Sequence, residues 1–298
     1  MTSEGGAMKI LLATDGSEYS DESARFLTRF RFTPDDMIIV LHVISEIPFE
    51  DDYKAQIRRV IKKVAPKILS AAADILKPLK AKVLTMEEEG YPATIITSIA
   101  EKSGCDLIVM GARGVRGVKL LFLGSTTRAV AIDATIPVLV THSPLKEPAD
   151  RTKVLLATDG SGAANETAKM LTSLPFAEGA EVTVMHVVKS FVPEIPWRYV
   201  GETDIPLREE VTKAETLEAT KAEKFSRDAA AFLSGSFASV RVITASGDPS
   251  TEILREAGQL DADLICLGSR GLRGVKGMLG SVSRRVLGHA SCAVLIGK

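Results

Sequence analysis

The sequence predicts an α/β protein built from one domain written twice, each copy a parallel sheet with helices on both faces. Three observations predict it. The segment KILLATDGS at 9–17 returns as KVLLATDGS at 153–161, and GARGVRGVK at 111–119 returns as GSRGLRGVK at 268–276. Short continuous apolar runs alternate with amphipathic stretches, the pattern of strands buried on both faces and the helices that cover them. The chain has 298 residues, about twice the roughly 150 of an average domain. A repeat this long is a whole domain, not a solenoid unit. The domains are expected at 1–146 and 147–298, joined by the proline-punctuated SPLKEPADRT at 143–152.

The elements of the first copy follow in order. ILLA at 10–13 is a short buried strand, and Thr14-Asp15-Gly16-Ser17 is a turn with helix-start chemistry leading into ESARFLTRF. MIIVLHVI at 37–44 is a second apolar run rich in β-branched residues. Residues 52–79 carry Ile57, Ile61, Val64, Ile68, Leu69, Ile75 and Leu76 at the spacing of an amphipathic helix. AKVLTME is a strand, and Pro92 opens a helix through Glu101, since proline suits the first turn. DLIVMG is a buried strand ending on a glycine; 125–132 is a helix and PVLVT the last strand.

The second copy repeats this order with one enlargement. The offset between copies is 144 from Lys9 to Lys153 and 157 from Gly111 to Gly268. The 13 added residues are placed at FVPEIPWRYVGETDIP, 191–206, and a charged, helix-like segment follows at 203–234. Trp197 and Tyr199 in the insertion read either as ordinary surface or as a partner surface or lid.

Composition excludes several classes. Apolar residues are 45% and charged residues 25%, so the bulk of the chain is expected to fold. Lys and Arg number 37 against 38 Asp and Glu, which argues against nucleic acid or an anionic membrane as a partner held by charge. Aromatics are 5%, too few for a stacking platform on single strands. No apolar run approaches the ~18 residues of a membrane span. Cys105, Cys266 and Cys292 form neither a disulfide framework nor a CxxC motif and read as small hydrophobes in a reducing cytoplasm. The opening MTSEGGAMKILLATDGSE has no basic region ahead of an apolar core, so no signal peptide is expected. His42 and His186 read as packed, hydrogen-bonded histidines, because no further metal ligands stand at suitable spacing.

The chemistry concentrates in a glycine loop. Gly111-x2-Gly114-x9-Gly124-Ser125 follows a buried strand and opens a helix that begins Ser125, Thr126, Thr127. Backbone N–H groups of such a loop, with the positive end of a helix, can cradle phosphate. The loop is neither a Walker A motif, nor GxGxxG, nor a GxSxG elbow. In open parallel sheets ligands sit at the carboxyl ends of the strands, where Asp15 and Gly111 stand. Asp15 and Asp159 read equally as a helix cap, an Asx turn or a ligand contact. Arg113 and Arg270 lie between paired glycines and suit a triphosphate; with Arg116, Lys119, Arg273 and Lys276 they also read as a solvated face. The second loop has eight residues, LRGVKGML, where the first has nine between Gly114 and Gly124, and its extra Gly277 is expected to misalign the second phosphate clamp.

These residues resemble the universal stress proteins, two such domains spanning 8–297. ATDGS at 13–17 and 157–161, LHV at 41–43, MHV at 185–187, MGARG…LGST at 110–126 and LGSRG…LGSVS at 267–283 carry the resemblance. The glycine spacing marks the ATP-binding branch. The resemblance implies a Rossmann-like fold of the adenine nucleotide alpha hydrolase type, five parallel strands per domain, with the last strand pairing the domains. It implies ATP as ligand, with or without magnesium. Ala13, Thr14 and Asp15 would line the nucleoside end, Val43 would hold adenine through its backbone, Met110 and Gly111 would pack on the nucleoside, and Gly114, Gly124, Ser125 and Thr126 would bind phosphates. In the second copy the roles fall on Ala157, Thr158, Asp159, Val187, Leu267, Gly268, Gly271, Gly280, Ser281 and Val282. The implied function is nucleotide-dependent regulation in a stress response, through an internal pseudo-dimer, with a further homodimer and protein partners left open. A slow ATPase or phosphotransferase remains as an alternative, although no general base stands out; so does an interaction module with empty loops.

Overall fold

The computed structural model describes residues 6–46, 52–114, 123–142, 151–188, 205–271 and 278–298. In the first domain these form β1 (Lys9–Ala13), α1 (Glu18–Leu27), β2 (Met37–Ser45), α2 (Asp52–Leu76), β3 (Lys82–Gly90), α3 (Pro92–Lys102), β4 (Leu107–Gly111), α4 (Ser125–Asp133) and β5 (Val138–Thr141). The second domain repeats them as β6 (Lys153–Ala157), α5 (Gly162–Ser173), β7 (Glu181–Val188), α6 (Ile205–Leu233), β8 (Ser239–Ser246), α7 (Pro249–Leu260), β9 (Leu264–Gly268), α8 (Ser281–His289) and β10 (Ala293–Gly297). The expected elements are all present. The helix expected over 52–79 stops at Leu76, because Pro78 disfavours helical backbone at the residue before it. The linker and the insertion with Trp197 and Tyr199 lie outside the described residues, apart from Arg151, Thr152 and the start of α6.

The strands form one ten-stranded sheet in the order β3-β2-β1-β4-β5-β10-β9-β6-β7-β8. Pairing is parallel within each domain and antiparallel only between β5 and β10. In that seam Leu139 faces Leu295, its own counterpart in the repeat, while Val138 faces Ile296 and Val140 faces Val294. A pseudo-twofold axis therefore passes through the Leu139–Leu295 pair. Strand pairing at this edge closes what would otherwise be an open row of donors and acceptors on each domain.

Both faces of the inner strands are buried, and both cores run across the seam. Leu12, Leu139, Leu156 and Leu295 belong to one face. Leu11, Val138, Leu155 and Ile296 belong to the other. Phe30 bridges to Phe176, with ring centroids 5.2 Å apart, and Phe26, Phe32 and Phe237 extend the cluster. Arg29 at the end of α1 reaches Asp263 at 3.1 Å in a buried ion pair across the domains. The second oxygen of Asp263 accepts the backbone N–H of Lys153, as Asp106 accepts that of Lys9.

The residues following β5 and at the end of β10 cap each other's domains. His142 lies with Nδ1 2.9 Å from the Cys292 carbonyl and Nε2 3.0 Å from the Leu287 carbonyl. Its counterpart Lys298 donates to the carbonyl of Ala131 at 2.7 Å, the residue matching Leu287. Each side chain thus meets the carboxyl end of the other domain's last helix, where the dipole favours positive charge. Burial nonetheless pushes His142 below its ordinary 6.5, the two carbonyls pushing back and Arg113 adding to the depression. Burial likewise lowers Lys298 to about 8. A histidine depressed by folding stabilises fully above 6.5, and that stability falls as pH drops below it, because the unfolded chain takes up the proton first. The melting temperature of the parent is expected to fall more steeply below that pH than that of His142→Asn. Parallel curves for the two proteins would refute the assignment.

Candidate functional site

Each site begins where the first strand of its domain runs out. The N–H of Thr14 donates to Leu41 O at 2.9 Å, and that of Thr158 to Met185 O at 2.9 Å. Gly16 and Gly160 follow at φ +76°, the left-handed region that favours glycine. Asp15 Oδ1 accepts the N–H of Ser17 at 3.1 Å, and Asp159 Oδ1 that of Ser161 at 3.0 Å. Both aspartates therefore make Asx turns. The helix caps are the serines: Ser17 Oγ accepts from Ser20 N and Ser161 Oγ from Ala164 N, each at 3.3 Å. His42 Nδ1 lies 2.8 Å from Thr14 O and ties β2 to the turn. The matching His186 packs near Phe225 of α6 with centroids 6.2 Å apart. Its buried Nδ1 makes no well-formed hydrogen bond, although the Thr158 carbonyl lies near enough to favour a proton there; burial dominates and lowers its pKa.

The glycines divide into two kinds of necessity. A Cβ on Gly111 would stand 2.7 Å from Tyr19 Cβ, and one on Gly268 2.9 Å from the Ala163 carbonyl carbon. Gly111 and Gly268 thus let α1 and α5 approach their strands, a packing role beside the nucleoside role the resemblance implies. Gly114 and Gly271 instead face the aspartates: a Cβ on Gly271 would stand 2.7 Å from Asp159 Oδ2, and one on Gly114 would strike Asp15 Oδ2. Turn and loop, separated by about a hundred residues, therefore meet at the strand ends.

The bases of the two loops close alike. Gly124 N donates to Ala112 O and Gly280 N to Ser269 O, both at 2.8 Å. Thr127 donates to Gly111 O at 2.8 Å, and Ser283 to Gly268 O at 2.7 Å. The missing residue of the second loop leaves these anchors in place, so the expected misalignment is not seen at the loop's ends. Residues 115–122 and 272–277, with Arg116, Lys119, Arg273, Lys276 and Gly277, lie outside the described residues. Gly124 and Gly280 are the N-caps of α4 and α8, and neither helix start has a side-chain cap, so its first N–H groups need another acceptor.

In the second domain these parts enclose a cavity of about 380 Å³. All eleven residues singled out in that half line it: Ala157, Thr158, Asp159, Val187, Leu267, Gly268, Arg270, Gly271, Gly280, Ser281 and Val282. The sequence reading missed Ala164, Met185, Pro249, Ile253 and Ser283, which line it too. Pro249 and Ile253 belong to the first turns of α7, the helix matching α3, whose Pro92 had signalled only a helix start. Parallel pairing sets Ala13, Val43 and Met110 near the carboxyl ends of β1, β2 and β4 in the first domain, with Thr14, Asp15, Arg113, Gly114, Gly124, Ser125 and Thr126 on the adjoining turn, loop and α4. Arg113 departs from its counterpart. It donates to Tyr19 Oη at 3.1 Å and lies over that ring, whereas Arg270 lines the second cavity. Among the described residues no group of three or more His, Cys, Asp or Glu is arranged to hold a metal ion.

The model of the universal stress protein family matches residues 7–142 and again 151–298. The chain belongs to the universal stress protein family. A universal stress protein of Mycolicibacterium smegmatis is 28% identical over 303 residues, 96% of each chain. One of Methanocaldococcus jannaschii is 33% identical over 144 residues, 47% of this chain and 84% of that protein. The solved universal stress protein of Archaeoglobus fulgidus DSM 4304 superposes with a TM-score of 0.59 at 25% identity, covering 97% of this chain and 96% of that one. A universal stress protein solved in complex with cAMP aligns with 46% of the chain at 20% identity and a TM-score of 0.35. The ten-stranded sheet is thus two universal stress protein domains in tandem, each Rossmann-like. No described helix is long and apolar enough to cross a membrane.

Proposed function

We propose that this universal stress protein binds ATP at the carboxyl ends of its strands and acts as a nucleotide-dependent regulator in a stress response. The observation that carries the reading is the second-domain cavity. Its 380 Å³ falls within the roughly 300–1,000 Å³ of small-molecule sites. Apolar Met185, Val187, Ile253 and Leu267 suit a base at one end, and the uncapped start of α8 with Gly271 and Ser281 suits phosphates at the other. Arg270 supplies positive charge. Ligand contacts with the glycine loop and helix start would favour one arrangement of the surrounding surface, so occupancy could be read by a protein partner.

The test is direct. The protein as purified is denatured in acid, and the supernatant is chromatographed for adenine nucleotides. Protein freed of nucleotide is then titrated calorimetrically with ATP, ADP and cAMP. Released nucleotide, or saturable ATP binding, is the expected result. Neither release nor binding would overturn the reading, and sustained magnesium-dependent turnover lost in Asp15→Ala would replace it with an enzyme.

A further inference from the structure

A second cavity, of about 250 Å³, opens at the opposite end of the second domain. It lies at the amino ends of β6, β7 and β8, beneath the carboxyl end of α7. Lys153, Glu181, Thr183, Ser239, Arg241 and Gln259 line it. Strand alternation sends the five strand residues to one face, the face of Leu155 and Met185. The nucleotide cleft is on the same face, but β6 separates the two by its full five residues, about 13–16 Å of strand.

The first domain carries a different set, with two lysines and three apolar residues at the matching strand positions. Register matches Glu181 to Met37, Thr183 to Ile39, Ser239 to Lys82 and Arg241 to Leu84. Lys9, the match of Lys153, is occupied there: its Nζ donates at 2.8 Å to Ser103 O at the end of α3. The matching helix α7 ends in the same way, with Asp261 at φ 55° where the first domain has Gly104 at φ 61°, so the helix end itself does not set the two lysines apart. Lys153 nonetheless makes no bond like that of Lys9 to the helix end. Among the described residues the Lys153 ammonium, the Arg241 guanidinium, the Thr183 hydroxyl and the Gln259 amide have no protein partner, and the Ser239 hydroxyl is buried without one. Glu181 is already neutralised by Arg151 at 2.9 Å. Lys153, Arg241 and Gln259 stand exposed at the mouth and Thr183 lies deeper; the buried Ser239 hydroxyl is the group that needs something to bond, and the surplus of charge is positive.

We propose that this cavity binds a small hydroxylated organic anion, its carboxylate or phosphate group held by Arg241 and Lys153 and its hydroxyls by Thr183, Ser239 and Gln259. The volume is below the roughly 300 Å³ at which drug-sized sites begin, so the occupant is smaller than a nucleotide. The two copies differ at three of these positions, where Met37, Ile39 and Leu84 of the first stand in place of Glu181, Thr183 and Arg241 of the second.

The full-length chain, labelled for amide NMR, is titrated with citrate and, in a second arm, with inorganic phosphate. Saturable shifts are expected at the Thr183, Ser239 and Arg241 amides with at least one anion, and the arm that responds identifies the group recognised. Arg241→Leu and Thr183→Ile place residue types that the first domain accommodates at the same positions. Each is expected to weaken binding at least tenfold while the spectrum elsewhere is retained. Absence of saturable shifts at these amides with either anion overturns the proposal. So does undiminished affinity in both variants. Shifts confined to Gly271 and Ser281 would put the anion in the nucleotide cleft and overturn it as well.

Discussion

Valine at both Gly114 and Gly271 is expected to abolish measurable ATP binding to the full-length chain while leaving its fold in place. Neither glycine lies inside a strand or helix, so the sheet does not depend on them. Both face an Asx-turn aspartate: a Cβ at Gly271 would stand 2.7 Å from Asp159 Oδ2, and one at Gly114 would strike Asp15 Oδ2. The added side chain must displace the aspartate or push the loop outward, and either change separates loop from turn. A loss of at least about a hundredfold, roughly 2.8 kcal/mol, is expected by calorimetry. Unchanged affinity in a folded double variant would reject the assignment of the site. The single variants go further, since each leaves one site. The second loop is one residue shorter, and unequal dissociation constants are expected; equal constants would show that the anchored loop bases alone set affinity.

Leu295→Lys is expected to break the seam that makes the two domains one sheet. Leu295 and Leu139 face each other on the pseudo-twofold axis, and both are wholly buried. A lysine there would place an ammonium between two apolar strands with no acidic partner on the facing strand. An uncompensated buried charge costs about 3–5 kcal/mol, a large part of a total stability of roughly 5–15 kcal/mol. For domains of this size that lowers the melting temperature by roughly 10 °C. Leu295→Ile, which keeps volume and apolar character, is expected to cost less than about 1.5 kcal/mol. Thermal unfolding checks both. A lysine variant melting with the parent would show that the domains are held by the Phe30–Phe176 contact and the Arg29–Asp263 pair instead.

Most of the candidate site was legible because its residues lie in short, repeated motifs. Ala157, Thr158 and Asp159 come from one turn, and Gly280, Ser281 and Val282 from one helix start, and sequence reading finds such local chemistry. Pro249 and Ile253 were not found, because nothing in their neighbourhoods distinguishes a cavity wall from core, and Met185 was passed over although it opens the MHV motif that supplies Val187. The bland reading of Asp15 and Asp159 was right about their local bonds, although the cap belongs to Ser17 and Ser161. The loop geometry then adds what an Asx turn alone does not explain: a glycine held against each carboxylate.

The sequence by itself determined the duplication, the order of strands and helices, the family and the turns where a ligand would sit. Those are properties of period, spacing and motif, all read within a few tens of residues. Only the tertiary structure decided the register and direction in which the last strands pair across the domains. It alone showed that His142 and Lys298 cap opposite domains, and that Arg29 answers Asp263 with no counterpart at Ser173. It alone gathered Thr183, Ser239 and Arg241 around a hollow, where the first domain has Ile39, Lys82 and Leu84. These contacts join residues far apart in the chain. Which face a side chain takes, and what lies opposite it, follows from strand register and packing, and no local pattern carries that information.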